Sequence, residues 1–225
     1  MRCTFTNISQ SPAVLIVAVE APAGLVLEHL DEPIQEGVAV VVASAAGDCT
    51  IFDCASTEGA QRLELCHGYP FPATDAAQPR VSLFQPGRGG ARATVHRGRT
   101  RSTGALRVYT VVLTKRTRGE RAAEQDLGAD LFVDGARELE DAPLARSRGF
   151  GDRVVLGADH LGRWPLRGAI RDFALFRGRV PGAFARGLER ALAAKHGIEL
   201  RGAEDESDGA AEEDIDDDFD DEEDA

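Results

Sequence analysis

From residue 4 to residue 177 the sequence is a succession of short apolar, β-branched runs divided by glycine, proline and aspartate. No stretch of it carries a helical period. That cadence limits the fold severely, because a chain of short strands must bury its apolar faces by stacking one sheet on another. The runs fall at residues 4–8, 13–20, 25–30, 38–42, 49–54, 62–66, 80–85, 91–96, 105–114 and 130–134. Val38-Ala-Val-Val-Val42 shows no polar alternation and predicts a strand covered on both faces. Ser56-Thr-Glu-Gly59 and Pro86-Gly-Arg-Gly-Gly90 read as hairpin turns, and Val133-Asp-Gly135 is a strong turn signal. The proline-rich stretch 69–79 cannot continue a central strand and reads as a loop.

The last folded stretch has a different grammar. Asp152-Arg-Val-Val-Leu-Gly-Ala158 is a short apolar run closed by glycine, and Leu166-Arg-Gly-Ala-Ile-Arg-Asp-Phe-Ala-Leu-Phe-Arg177 is apolar on both alternating faces. Arg171 and Asp172 interrupt that second run, either near its end or as cross-sheet partners. Pro181 suits the first turn of a helix, and Phe184, Leu188 and Leu192 give it an apolar stripe. Lys195 and His196 suit the negative end of the helix dipole, and Gly197 the left-handed terminating position. The helix is expected to lie as a lid on a sheet.

With Asp130-Leu-Phe-Val-Asp-Gly135, these segments resemble the C-terminal half of laminin-G-like domains of the concanavalin A-like lectin/glucanase superfamily, over residues 105–198. The resemblance implies an all-β, antiparallel two-sheet jelly-roll sandwich with one short C-terminal helix. Two departures bear on ligand loops. The strand at Leu106 to Thr114 lacks the family's tryptophan, and the loop 115–129 is longer and more charged.

The 225 residues fit one such domain, assigned to residues 1–202. The net charge of −12 is misleading, because residues 203–225 hold fifteen carboxylates and no lysine or arginine. The remainder has 26 basic against 23 acidic residues, a formal charge of +3. The acidic tail 203–225 is too poor in apolar residues to fold alone and is expected to be disordered. No segment is apolar for long enough to span a bilayer, and the first residues lack a standard secretory signal, so an intracellular or particle-associated setting is expected. Cys3, Cys49, Cys54 and Cys66 match no zinc spacing, even with His67 adjacent, and are expected as reduced thiols.

Catalytic patterns are missing. The resemblance implies that a glucanase would carry paired carboxylates on alternate residues of one strand. The nearest match, Glu28-His-Leu-Asp-Glu32, has the wrong spacing, and Glu138-Leu-Glu-Asp141 reads as a solvated loop. No nucleophile elbow, phosphate loop or zinc-protease helix occurs. A non-enzymatic binding module is expected, lectin-like, recognising a glycan or a protein surface and serving as a structural or surface component.

Glycan sites combine an aromatic platform with polar groups that fix hydroxyls. The single tryptophan, Trp164, sits in Gly162-Arg-Trp-Pro165, where it either stacks on a sugar or caps the core edge. Trp164, Asp159 and Arg163 are the candidate ligand contacts; no cofactor is expected beyond calcium, whose oxygen ligands Asp159 and Asp152 would supply.

Basic residues cluster at Arg97, Arg99 and Arg101 and at Lys115, Arg116, Arg118 and Arg121, both read as loops. Without interleaved aromatics, nucleic acid is not the expected partner. The loops are instead expected to be covered reversibly by the acidic tail. The alternative function is an acidic-tailed binder of basic proteins, similar in composition to nucleoplasmin-like histone chaperones, with Ile215 and Phe219 as anchors.

Overall fold

The computed structural model describes residues 14–21, 25–27, 36–55, 62–68, 79–86, 93–116, 126–144 and 153–201. The expectations placed on residues 4–8, on Glu28 and Asp31, on Arg118, Arg121 and Asp152, on Cys3 and on 203–225 lie outside them.

Twelve strands and one helix make up the described chain. The strands are β1 (Val14–Ala21), β2 (Leu25–Leu27), β3 (Gly37–Ala45), β4 (Cys49–Ala55), β5 (Arg62–His67), β6 (Arg80–Gln85), β7 (Thr94–Arg101) and β8 (Leu106–Arg116). They continue with β9 (Asp126–Val133), β10 (Ala136–Leu144), β11 (Arg153–Leu156) and β12 (Gly168–Arg177), and the helix is α1 (Gly182–His196). Sheet A has the order β1-β12-β3-β8-β9-β10 and sheet B the order β2-β11-β4-β5-β6-β7, with every pairing antiparallel. This is the expected jelly-roll-type sandwich.

Residue alternation explains how the layers pack. On β3, Ala39, Val41 and Ala43 enter the core between the sheets, while Val38, Val40 and Val42 face α1. The unbroken apolar run therefore serves two cores at once. Across the sandwich Phe52 meets Phe173 edge-on, with ring centroids 5.8 Å apart. His67 is buried in the same interior, its Nε2 3.2 Å from the Tyr109 hydroxyl, and burial lowers its pKa to about 4. Cys49, Cys54 and Cys66 are buried and form no disulfide.

The helix stops as expected, with Gly197 at φ 63° and its N–H bonded to Ala194 O. Its buried face, however, is centred on Ala185, Glu189 and Ala193, flanked by Leu188 and Leu192. Phe184 is half exposed and rests edge-on against Phe176. Small residues at the centre let the helix approach β3 and β8 closely. Asp172, on the helix side of β12, accepts from Lys195 Nζ at 2.8 and 2.9 Å and from His196 Nε2. Among the described residues no helix is long and apolar enough to cross a membrane.

Two loop readings are corrected. Arg97, Arg99 and Arg101 lie within β7, and Lys115 and Arg116 end β8. Glu138-Leu-Glu-Asp141 belongs to β10, whose register against β9 shifts twice. Glu138 is not simply solvated. It accepts from Arg99 N, from Thr100 N at 3.0 Å and from Thr100 Oγ1 at 2.6 Å, tying the edge of sheet A to the edge of sheet B. Gly98 makes that approach feasible, since an added Cβ would lie 2.7 Å from Glu138 Oε2 and 2.7 Å from Val81 Cγ1.

Candidate functional site

On the outer side of sheet B, β4 and β5 set Asp53 directly opposite Glu64. Like charges facing each other across strands repel, so this pairing needs a counter-ion. Arg62 provides it. Its Nε donates to Asp53 Oδ2 at 2.7 Å, and its Nη2 contacts Glu64 Oε2. The same Nη2 lies 3.8 Å from Asp159 Oδ2, and the guanidinium sits 5.1 Å above the Phe84 ring. Thr50 Oγ1 donates to the other oxygen of Glu64.

All three carboxylates are almost inaccessible, and among the described residues one buried guanidinium, that of Arg62, is shared among them. Burial dominates the electrostatics. It pushes Asp53 up to about 6 and Glu64 up to about 7, against the opposing pull of Arg62. Asp53 Oδ1 is buried with no hydrogen-bond partner among the described residues.

The loop after β11 rests on this network. His160 N donates to Asp53 Oδ2 at 2.8 Å, and His160 Nδ1 lies 3.3 Å from the same oxygen. Desolvation lowers the pKa of His160, with Arg62 acting in the same direction. Asp159 Oδ1 accepts from Leu161 N at 3.0 Å and Arg163 N at 2.6 Å, while its Oδ2 accepts from Arg163 Nε at 3.0 Å. Backbone bonds Thr50 N to Trp164 O and Leu166 N to Gly157 O complete the clamp. Trp164 is held at φ 54°, a left-handed conformation uncommon for a tryptophan.

The three candidate contacts thus share one loop but differ in role. Asp159 is buried and committed to the loop's own donors. Arg163 is exposed at its tip, and Trp164 is half-buried. Sequence reasoning missed Leu161, whose side chain is 62 % exposed beside them. It also missed the Asp53–Arg62–Glu64 network. Alternation in Cys49-Thr-Ile-Phe-Asp-Cys54 and Arg62-Leu-Glu-Leu-Cys66 was the available signal. Among the described residues, no group of three histidine, cysteine, aspartate or glutamate side chains is arranged to hold a metal. The arginines of β7 and Lys115 of β8 lie apart from this loop, on other elements.

No protein-family model matches the chain, and no curated protein matches it. Solved structures do. Domain 4 of AbnA, a GH43 extracellular arabinanase from Geobacillus stearothermophilus, in complex with arabinotriose, is 13% identical with a TM-score of 0.48, covering 83% of this chain and 81% of that one. The LG4-5 domains of the mouse laminin alpha1 chain are 14% identical with a TM-score of 0.41, over 80% of this chain and 44% of theirs. A Trypanosoma rangeli sialidase in complex with 2,3-difluorosialic acid is 13% identical with a TM-score of 0.44, over 82% of this chain and 30% of its own.

Proposed function

We propose that this chain is a non-enzymatic, lectin-like binding module that presents residues 159–165 to a carbohydrate. The observation that carries the reading is a preorganised loop with an apolar and a cationic surface side by side. Leu161 and the half-buried Trp164 offer surface for the C–H face of a sugar ring, and the exposed tip of Arg163 offers donors for hydroxyls or a carboxylate. Because Asp159 and Asp53 already hold the loop's backbone donors, little ordering cost remains at binding.

The non-enzymatic part rests on accessibility. Asp53 and Glu64 are adjacent carboxylates, but their side chains are buried and engaged with Arg62, out of reach of a glycosidic oxygen. The test is a glycan array followed by titration of Trp164 emission, the chain's single tryptophan. A hit should shift that emission, weaken at least tenfold in Leu161→Ser and Arg163→Ala, and leave the polysaccharide chain length unchanged. Binding unaffected by both substitutions, or progressive shortening of the glycan, would overturn the proposal.

A further inference from the structure

We propose that the exposed arginine row of β7 is the seat of the chain's own acidic segment, residues 203–225. The row is a surface distinct from the loop at residues 159–165. Arg97, Arg99 and Arg101 are exposed, Gly98 between them is buried and Thr100 is half-buried. The register of β7 against β6 shifts between Arg97 and Arg101, so the three exposed arginines form a cationic row on a bulged edge strand. Arg80 on β6, exposed and in register with Arg101, widens it. The backbone beneath is fixed, because Glu138 holds Arg99 N, Thr100 N and Thr100 Oγ1.

The occupant is argued from where the described chain leaves the fold. After α1 the chain crosses to the turn between β9 and β10, where Arg201 N donates to Asp134 O at 2.6 Å. Arg201 O lies so close to Gly135 that a Cβ there would be 2.9 Å away. From that turn, Glu138 is three residues along β10, about 10 Å, and Glu138 touches the row itself. The acidic segment therefore starts beside the strand that buttresses the arginines. Lys115 is placed at the far end of β8 from Asp134, next to Leu127 of β9, and sits 3.9 Å from Glu36. The two basic stretches of the sequence are thus separated, and the row is the one near the exit.

Charge and pattern agree. Every even position from 212 to 224 is a carboxylate, so an extended stretch in that phase presents an unbroken line of acids to the row, while Ile215 and Phe219 interrupt the odd phase. Each exposed pair is weak on its own and screened by salt. A tether raises the local concentration to about the millimolar range, so several weak pairs suffice to populate the contact.

The experiment uses the full chain carrying Cys3→Ser and a nitroxide on Asp217→Cys, with paramagnetic broadening read at backbone amides. At about 0.1 M salt the broadening should centre on residues 97–101, and it should fall several-fold at about 1 M, where the screening length drops to about 3 Å. It should be lost in Arg97→Ser/Arg99→Ser/Arg101→Ser. A variant that leaves residues 1–202 untouched, with every Asp and Glu of residues 212–224 other than the labelled position changed to Asn or Gln, should lose it equally. Broadening that is absent, insensitive to salt, centred on Lys115 or α1, or transferred between labelled and unlabelled molecules would overturn the proposal.

Discussion

Glu64→Gln should make the protein more stable at alkaline pH, the reverse of the usual cost of deleting a buried ion-pair partner. Glutamine keeps its one oxygen for Arg62 and can turn its NH2 to the Thr50 hydroxyl, which then accepts, but it carries no charge. In the folded chain burial raises Glu64 from 4.5 to about 7. The native state therefore binds a proton that the unfolded state has released, and between those values stability falls as pH rises. The difference of about 2.5 pH units corresponds to about 3 kcal/mol, and coupling to Asp53 makes that an upper figure. Wild type should thus lose up to about 3 kcal/mol relative to the variant as pH rises from about 4.5 to about 8. Urea unfolding followed by Trp164 emission at several pH values measures this, and the difference between the two proteins cancels other titrating groups. A difference that stays flat across this range, or that favours wild type increasingly at high pH, would refute the argument that burial outweighs Arg62 at this site.

Gly98→Ala should cost about 1–3 kcal/mol, because its Cβ would overlap both Val81 and the Glu138 carboxylate at the seam between the sheets. Urea unfolding checks it. Asp172→Asn should loosen the last turn of α1 by about 1 kcal/mol, a small figure because Lys195 is more than half exposed. Faster hydrogen exchange confined to residues 193–198 would report it. Asp159→Ala should cost about 1–3 kcal/mol and release the amides of Leu161 and Arg163 to faster hydrogen exchange, since both lose their acceptor.

What the sequence conveyed depended on whether the information was local. The two-faced burial of β3 was legible because Val38-Ala-Val-Val-Val42 leaves no polar face to turn outward. Pro181, Lys195, His196 and Gly197 announced the helix ends through backbone chemistry that operates within one turn. β10 was illegible, because Ala136-Arg-Glu-Leu-Glu-Asp-Ala-Pro-Leu144 has neither alternation nor β-branching. It is held by pairing with β9 and by Glu138, whose partners lie 38 and 39 residues away. The helix stripe was read one residue off for a related reason. Counting apolar side chains selects Phe184, whereas packing selects the small Ala185 and the buried Glu189. The latter is satisfied by Thr110 and Gly135, far from it in sequence.

The site follows the same logic, and it also explains why charged residues occupy a buried sheet face. His160 and Asp53 are 107 positions apart, so no motif scan joins them. An apolar replacement of Asp53, Arg62 and Glu64 would hold β4 and β5 together as well or better, because burying three charges is costly. It would not hold the loop. His160 N needs Asp53, Leu161 N and Arg163 N need Asp159, and each lost acceptor would leave a donor unsatisfied at the loop's base. Two carboxylates required by the loop then bring a third, Glu64, into competition for one guanidinium, and protonation relieves the excess. Burial raises the pKa values of Asp53 and Glu64, and because Asp53 also holds His160 N, the pH dependence of stability is tied to the network on which Trp164 and Arg163 rest.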